Sequence, residues 1–308
     1  MADIRTFQNS DLPALAEVWS QHWSAIGPPP PVSTAIIEQA VLSRTFFNAQ
    51  DLHVAVVEGV IQGWTHFIPD VFDPSQAIIS AICFTPSGLQ SCDQLLAHAE
   101  SVIASRGFSH IVVGPLRDEV TGYVGLAPLG HGIGVSVNDT RTASLLSRRA
   151  FASGPSVARM TATTNPYRMP VSREWMQLQR STRVQTEHWI PADARHASAM
   201  AHLDMEHHEL VDHRSNESLA SLAIWLSDPE AQVMDCSRAI IDLHQAHQRG
   251  KLESAESFLI GSVVQLLANR RIFLAETSVD QEKLELIDQL AKLNFEIAEQ
   301  GQRWEKFL

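Results

Sequence analysis

Apolar residues along the first half of the chain alternate between helical and strand spacing. Asp3–Phe7 has the make-up of a short strand. Asn9, Ser10 or Asp11 can then cap a helix in which Leu12, Leu15, Val18, Trp19 and Trp23 recur at helical intervals. Pro28–Pro31 ends that segment, and Ser33-Thr34 starts a second helix through Ile36, Ile37, Val41 and Leu42 toward Phe47. Leu52–Val57, a turn at Glu58-Gly59 and Val60–Ile68 read as a hairpin, and Ala77–Phe84 as a further strand. A helix over Cys92–Ser105 stops at Gly107, and His110–Val113 is a strand. After a glycine-punctuated stretch, a last helix runs from Asn138 or Asp139 to Arg149, with strand sequence again beyond it.

The second half repeats this order less fully. Asp193–Val211 and Asn216–Leu226 read as two helices, and Gln232–His244 as short strand material. Glu253–Ala268 is a helix, Arg271–Glu276 a strand, Gln281–Leu293 a helix, and Phe295–Phe307 closing strands. Only about 17 residues separate Leu226 from His244, so this half is expected to lack a strand. Between the halves, Pro155, Pro166 and Pro170 interrupt any helix, while Arg159, Arg168, Arg173, Arg180 and Arg183 outnumber Glu174. Such a basic strap either fastens two domains together or presents an anion-binding edge. The expected division is a first domain over 1–164, a connector over 165–184 and a second domain over 185–308.

Composition narrows the class. The 308 residues carry a net charge of −12 and are 44% hydrophobic, which suits two globular cores and excludes a disordered chain. The halves share the charge: residues 1–154 hold 7 basic and 13 acidic groups, and residues 155–308 hold 16 and 22, each net −6. An acidic chain without clustered Lys and Arg is a poor nucleic-acid binder. No run of about 18 apolar residues predicts a membrane span. Met1–Phe7 lacks the basic and apolar regions of a secretory signal. Three scattered cysteines, Cys83, Cys92 and Cys236, fit neither a disulfide framework nor a zinc site, and they point to the reducing cytoplasm.

Several local patterns carry a resemblance. Leu52–Trp64 reads as an apolar strand, an acidic-Gly turn and a strand ending Gly-aromatic. Phe84-Thr85-Pro86 matches a strand-closing Val-x-Pro, and both Leu145–Phe151 (LLSRRAF) and Gln289–Phe295 (QLAKLNF) resemble the helix-to-strand pattern LYxKxGF. With the repeated element order, these resemble the GCN5-related N-acetyltransferase (GNAT) family in tandem. The resemblance implies an α/β (α+β) fold with a mixed sheet in each of two acyl-CoA N-acyltransferase-like domains, the second short of a strand. In the LYxKxGF pattern Asn294 replaces the glycine, and Asn tolerates the left-handed helix end; Ala150 is a poorer substitute.

The resemblance also implies acetyl-CoA as co-substrate, bonded by backbone groups of the fourth strand and by a glycine-rich loop opening the next helix. In the second half that loop is Arg249–Ser254. Arg249, Gly250, Lys251 and Ser254 are its candidate cofactor contacts, although Leu252 and Ser254 stand where the family has glycine. Two solvated basic residues before a helix are the plain alternative. In the first half the corresponding loop is about three residues short, leaving Phe84, Gln90, Ser91 and Cys92 as candidates. The family's tyrosine acid is replaced by Leu146 and Leu290, and the only tyrosines, Tyr123 and Tyr167, lie elsewhere.

For the proton acceptor, Asp242 and His244 on the presumed fourth strand and Glu276 ending the fifth are the candidates; Asp70, Asp73, Asp118 and Glu119 occupy loops of the first half. Gly130–Gly134 (GHGIG) mimics a phosphate loop but precedes strand-like Val135–Val137. His202–His213 is dense in imidazoles and carboxylates. On a helix His208 and His213 cannot share a face, so a solvated face or an acceptor-groove lining is expected rather than a metal site. The expected function is acetyl-CoA-dependent transfer to an amine of a small molecule or peptide. The alternative is a non-catalytic binding or scaffolding derivative. Net negative charge favours a cationic or neutral amine over an anionic one.

Overall fold

The computed structural model describes residues 2–28, 32–117, 119 and 121–308; Pro29–Pro31 and Asp118 lie outside them. The chain packs as two compact units. The first comprises Met1–Ser156, Ser198–Met200 and Gly301–Leu308, and the second Val157–Ala197 and Ala201–Gln300.

In unit 1, β1 (Asp3–Thr6), β2 (Leu52–Val57), β3 (Val60–Pro69) and β4 (Gln76–Phe84) pair antiparallel in that order. Helix α1 (Leu12–Ser24) buries Leu15, Val18, Trp19, His22 and Trp23, the stripe expected of its spacing. A short α2 (Thr34–Ile37) runs on as a wide turn to Leu42. Every residue of β4 is buried, as a central strand covered on both faces requires. Helix α3 (Leu89–Ser105) then crosses to β5 (His110–Val113), which pairs parallel with the first half of β4. The line of β5 resumes at β6 (Val135–Ser136) after an excursion, and Asp139 caps α4 (Thr140–Arg148) by accepting the Thr142 N–H at 3.1 Å.

Unit 2 corrects the reading of the second half. It contains β7 from Val157 onward (the whole strand is Ala152–Thr163), α5 (Arg173–Ser181), β8 (Thr182–His188) and α6 (Ala194–Ala199) as far as Ala197. Next come β9 (Leu203–Asp212), β10 (Ser218–Ser227), β11 (Arg238–Asp242), α7 (His244–Arg249) and α8 (Ser254–Asn269). The unit ends with β12 (Leu274–Asp280), α9 (Leu284–Lys292) and β13, which spans Glu296–Phe307 and leaves the unit after Gln300. Of the two expected helices over 193–211 and 216–226 only Ala194–Ala199 is helical and the rest forms a β-hairpin, so this half is not short of a strand. Leu, Met, Glu and Ala suggest helix there, yet Ala220, Leu222, Ile224 and Leu226 alternate into the core. Burying each such aliphatic chain is worth about 1.5–3 kcal/mol, more than the ~1 kcal/mol range of strand preference. The chain divides near residue 156 rather than at a 165–184 connector: Trp175 and Leu178 of α5 pack on the core of unit 2, and Arg159 lies in β7.

Unit 1 takes a strand from the far end of the sequence, and unit 2 takes β7 from just past the boundary between the halves. Residues 304–307 of β13 lie beside β5 in unit 1, and residues 157–163 of β7 lie beside β12 in unit 2. Both left-handed helix ends are present, Ala150 at φ 61° and Asn294 at φ 63°. No helix among the described residues is long and apolar enough to cross a membrane.

Candidate functional site

In unit 2, β10 outruns β11: Ala223 pairs with Asp242, and the pairing ends there. A cleft of about 240 Å³ opens at this point between β10, α7 and the start of α8. Trp189, His207, Asp242 and His244 line it together with Leu222, Leu243, Leu252 and Ile260. Asp242 reaches this place because its carboxylate accepts the His244 N–H at 2.9 Å, a turn that starts α7. His244 is exposed, with Nε2 2.9 Å from the Gln248 amide one turn on. The Trp189 ring stands edge-on to His196, 6.2 Å between centroids. Burial lowers the basicity of His196, while the charges of Asp242 and Asp193 act against that shift.

The loop before α8 is the test of a coenzyme A site. A pyrophosphate there needs open N–H groups at the helix N-terminus and no competing anion. Instead Glu253 caps the helix in a reciprocal box with Glu256, the Glu253 N–H donating to the Glu256 carboxylate at 2.8 Å. The Leu252 N–H donates to Gln289 Oε1 at 2.6 Å, and the Gln289 amide donates back to the Leu252 carbonyl at 3.0 Å. Arg249 is ion-paired with Glu256, which raises its pKa. Gly250, at φ 74°, ends α7 and donates its N–H to Ala246. Beside it, β11 pairs with β12 only over Arg238–Ile240 and then parts from it. Across that parting His247 Nε2 stands 3.1 Å from the Asp280 carboxylate, whose pKa the contact lowers. These residues do not fit a pyrophosphate: the Leu252, Glu253 and Glu256 N–H groups are taken and two carboxylates hold the helix end.

Unit 1 closes the same place differently. Beyond Ile79, β4 loses β5 as a partner, and the Phe84 N–H donates to Nδ1 of fully buried His22 at 3.3 Å. Because Nδ1 accepts, Nε2 carries the proton and donates to Asp139 at 3.1 Å. Burial would raise the Asp139 pKa, but bonds from His22 and Thr142 leave it lowered. Arg141 donates to the His22 carbonyl at 3.0 Å and lies over the Phe84 ring. The excursion between β5 and β6 is mostly buried. Its Tyr123 hydroxyl is 2.9 Å from His66 Nδ1, and burial pushes that phenol well up. Gly130–Gly134 is no phosphate loop: a Cβ at Gly130 would strike the Tyr123 carbonyl, and one at Gly134 the Gln302 carbonyl.

The structure thus brings Asp242 and His244 into one cleft with Leu252. Glu276 is not in the lining; it is buried and ion-paired with Arg159 at 3.1 Å and Arg238 at 3.8 Å. Of the first-half candidates, Gln90 and Ser91 sit in the first turn of α3, while Cys92 faces the core, where burial pushes its thiol up. Within the His202–His213 stretch, Leu203–Asp212 is strand β9, so neighbouring residues alternate faces. His207 enters the cleft, and buried His208 binds Glu206 and Thr186 at 3.1 Å each. Among the described residues no group of three His, Cys, Asp or Glu could hold a metal. Trp189, Gln289 and the His22–Asp139 pair were not picked out from the sequence. Their only sequence signal is type, since each meets its partner across a large separation or in a loop.

No family model matches the chain, and no curated protein matches it by sequence. Solved structures do. A tandem GNAT protein from the clavulanic acid biosynthesis pathway covers 100% of this chain and 98% of its own, with a TM-score of 0.67 at 12% identity. A GCN5-related N-acetyltransferase from Sphaerobacter thermophilus covers 99% and 95%, with a TM-score of 0.66 at 11% identity. The glucosamine N-acetyltransferase region of a fungal multi-domain GH3 β-N-acetylglucosaminidase scores 0.70 at 11% identity, over 99% of this chain and 38% of that one. The chain therefore has the fold of the GCN5-related N-acetyltransferases, in tandem.

Proposed function

We propose that the protein recognises a small amine in the unit 2 cleft, as a derivative of the acyltransferase fold that does not hold coenzyme A in the usual way. The observation that carries this reading is the loop before α8, where Glu253, Glu256 and Gln289 bond the groups a pyrophosphate would need. Asp242 lies in the cleft as a counter-charge for an ammonium. The neighbouring structure described as a glucosamine N-acetyltransferase acts, by that description, on an amine. Unpaired cysteines, with Cys83 and Cys92 buried and Cys236 exposed, accord with a cytoplasmic setting.

Acetyl-CoA-dependent transfer to that amine, of a small molecule or a peptide, is the second reading. It is favoured by the parting of β11 from β12 and by Asp242 and His244, which can take the proton of the amine. A thermal-shift titration separates the two. A native-state ligand at a hundred times its Kd adds about 2.7 kcal/mol of stability. Acetyl-CoA at about 1 mM is expected to leave Tm unchanged. A rise that Arg249→Ala removes and Gln90→Ala preserves would overturn the first reading and support the transferase one.

A further inference from the structure

We propose that β8 is a dimer edge, along which two copies of the chain join antiparallel into one continuous sheet. The inference is independent of what the cleft binds. Strand β8 pairs with β9 over all of Thr182–His188 and with no other described strand, so its outer row of backbone N–H and C=O groups has no strand against it. Such a row is a template for a further strand. Thr182 is buried and Val184 packs on the core of unit 2. Arg183, Gln185 and Glu187 alternate onto the opposite face.

The order of charges selects the occupant. Charge on an edge strand ordinarily repels a second strand. Here a two-fold axis through Gln185 sets Arg183 of each copy opposite Glu187 of the other. Unlike charges directly opposite support an antiparallel pair, whereas an axis through Arg183 or through Glu187 would set like charges together. Glu187 is exposed and has no ion pair among the described residues. Arg183, also exposed, is matched by no carboxylate there; it donates to the neutral Asn216 Oδ1 at 2.7 Å. Helix α5 runs directly into β8, buries none of its residues fully and leaves Met176 45% exposed. An axis normal to the sheet places the two α5 helices on one face, where such apolar surface can be covered. The edge strand β1 offers no such match: it has four residues, and its Arg5 is held by Asp11 at 2.7 Å.

Light scattering and sedimentation of the full chain test this. At about 0.5 mM the particle should have twice the mass of the 308-residue chain and should dissociate on dilution, because the interface is small. Glu187→Arg should weaken the dimer about tenfold, and so should Arg183→Glu, since each sets like charges opposite at two places. The double variant Arg183→Glu/Glu187→Arg should restore the dimer, which a mere loss of folding in β8 would not allow. A chain that stays monomeric at about 1 mM would overturn the proposal. So would a dimer that Glu187→Arg leaves intact, an open-ended series of larger species, or a double variant that keeps the native circular dichroism yet stays monomeric.

Discussion

In unit 1 the end of β4 meets a side chain; in unit 2 the end of β11 turns into a helix. The difference traces to what covers each sheet. Unit 1 has α1, thirteen residues long, and it delivers His22 to the Phe84 N–H and Asp139 behind it. A buried N–H must find an acceptor, and this one finds it inside the protein. Between β8 and its hairpin unit 2 has only the six residues of α6. There the place beyond β11 is taken by α7, pinned through His247 to Asp280, and the flank along β10 stays open as the cleft. Two copies of one sheet can thus part their strands at the same point and satisfy the exposed groups in different ways. Only one of the ways described here leaves Asp242 in an open cleft.

Acid should set the two units apart most strongly. Burial, with repulsion from neighbouring charge second, holds His66 at about 3 and His53 at about 4, both in unit 1. Both are neutral when folded and bind protons when unfolded at the usual value near 6.5. The unfolded state therefore holds more protons below that value, and stability falls as pH drops. Between pH 7 and pH 5 the loss is of order 4 kcal/mol. Hydrogen exchange should show β2 and β3 opening before β9 and β10; the opposite order would break the contrast.

The strand that unit 1 takes from the far end of the sequence comes next. Trp304 lies in the core of unit 1 although it is near the far end of the sequence. Trp304→Ala should cost about 3 kcal/mol, read as faster exchange in β4 and β5. Faster exchange confined to β11 and β12 would contradict the pairing of β13 with β5. A smaller difference lies in the helix ends. Ala150 adopts a left-handed conformation that costs a non-glycine residue about 1 kcal/mol, whereas Asn294 tolerates it. Ala150→Gly should therefore raise stability by about 1 kcal/mol in chemical denaturation, and Asn294→Gly should change it by a few tenths.

The smallest effect concerns the pin across unit 2. Asp280 is held below its usual carboxylate range, so its contribution is present above that range and disappears as pH falls through its lowered value. The pair is partly exposed, so Asp280→Asn should cost only about 0.5 kcal/mol at pH 7. Its sharper readout is proteolysis within α7, which should quicken while cleavage of α4 does not.

The strands and helices of the first half were legible because each has an unambiguous period. Trp19, His22 and Trp23 fall on one face of α1, and the apolar run of β4 is what a fully covered strand needs. The hairpin of β9 and β10 was not legible, because its residues favour helix in isolation and only the packing of Leu222 and Ile224 on α8 decides otherwise. Asp242 and His244 could be named because they follow a short apolar strand. Glu276 was named for the same reason, yet its side chain meets Arg159 from a strand 117 residues away.

Local periodicity, turn residues and the charge of each half are properties of neighbours along the chain, and the sequence carries them unaided. It carries the left-handed helix ends at Ala150 and Asn294 in the same way. Which half supplies the last strand of each unit, that Gln289 answers Leu252, and that His22 answers Phe84 depend on groups far apart in sequence. Hydrogen bonds and burial between distant segments have no local pattern; they exist only once the sheet has assembled and each buried polar group has found its partner.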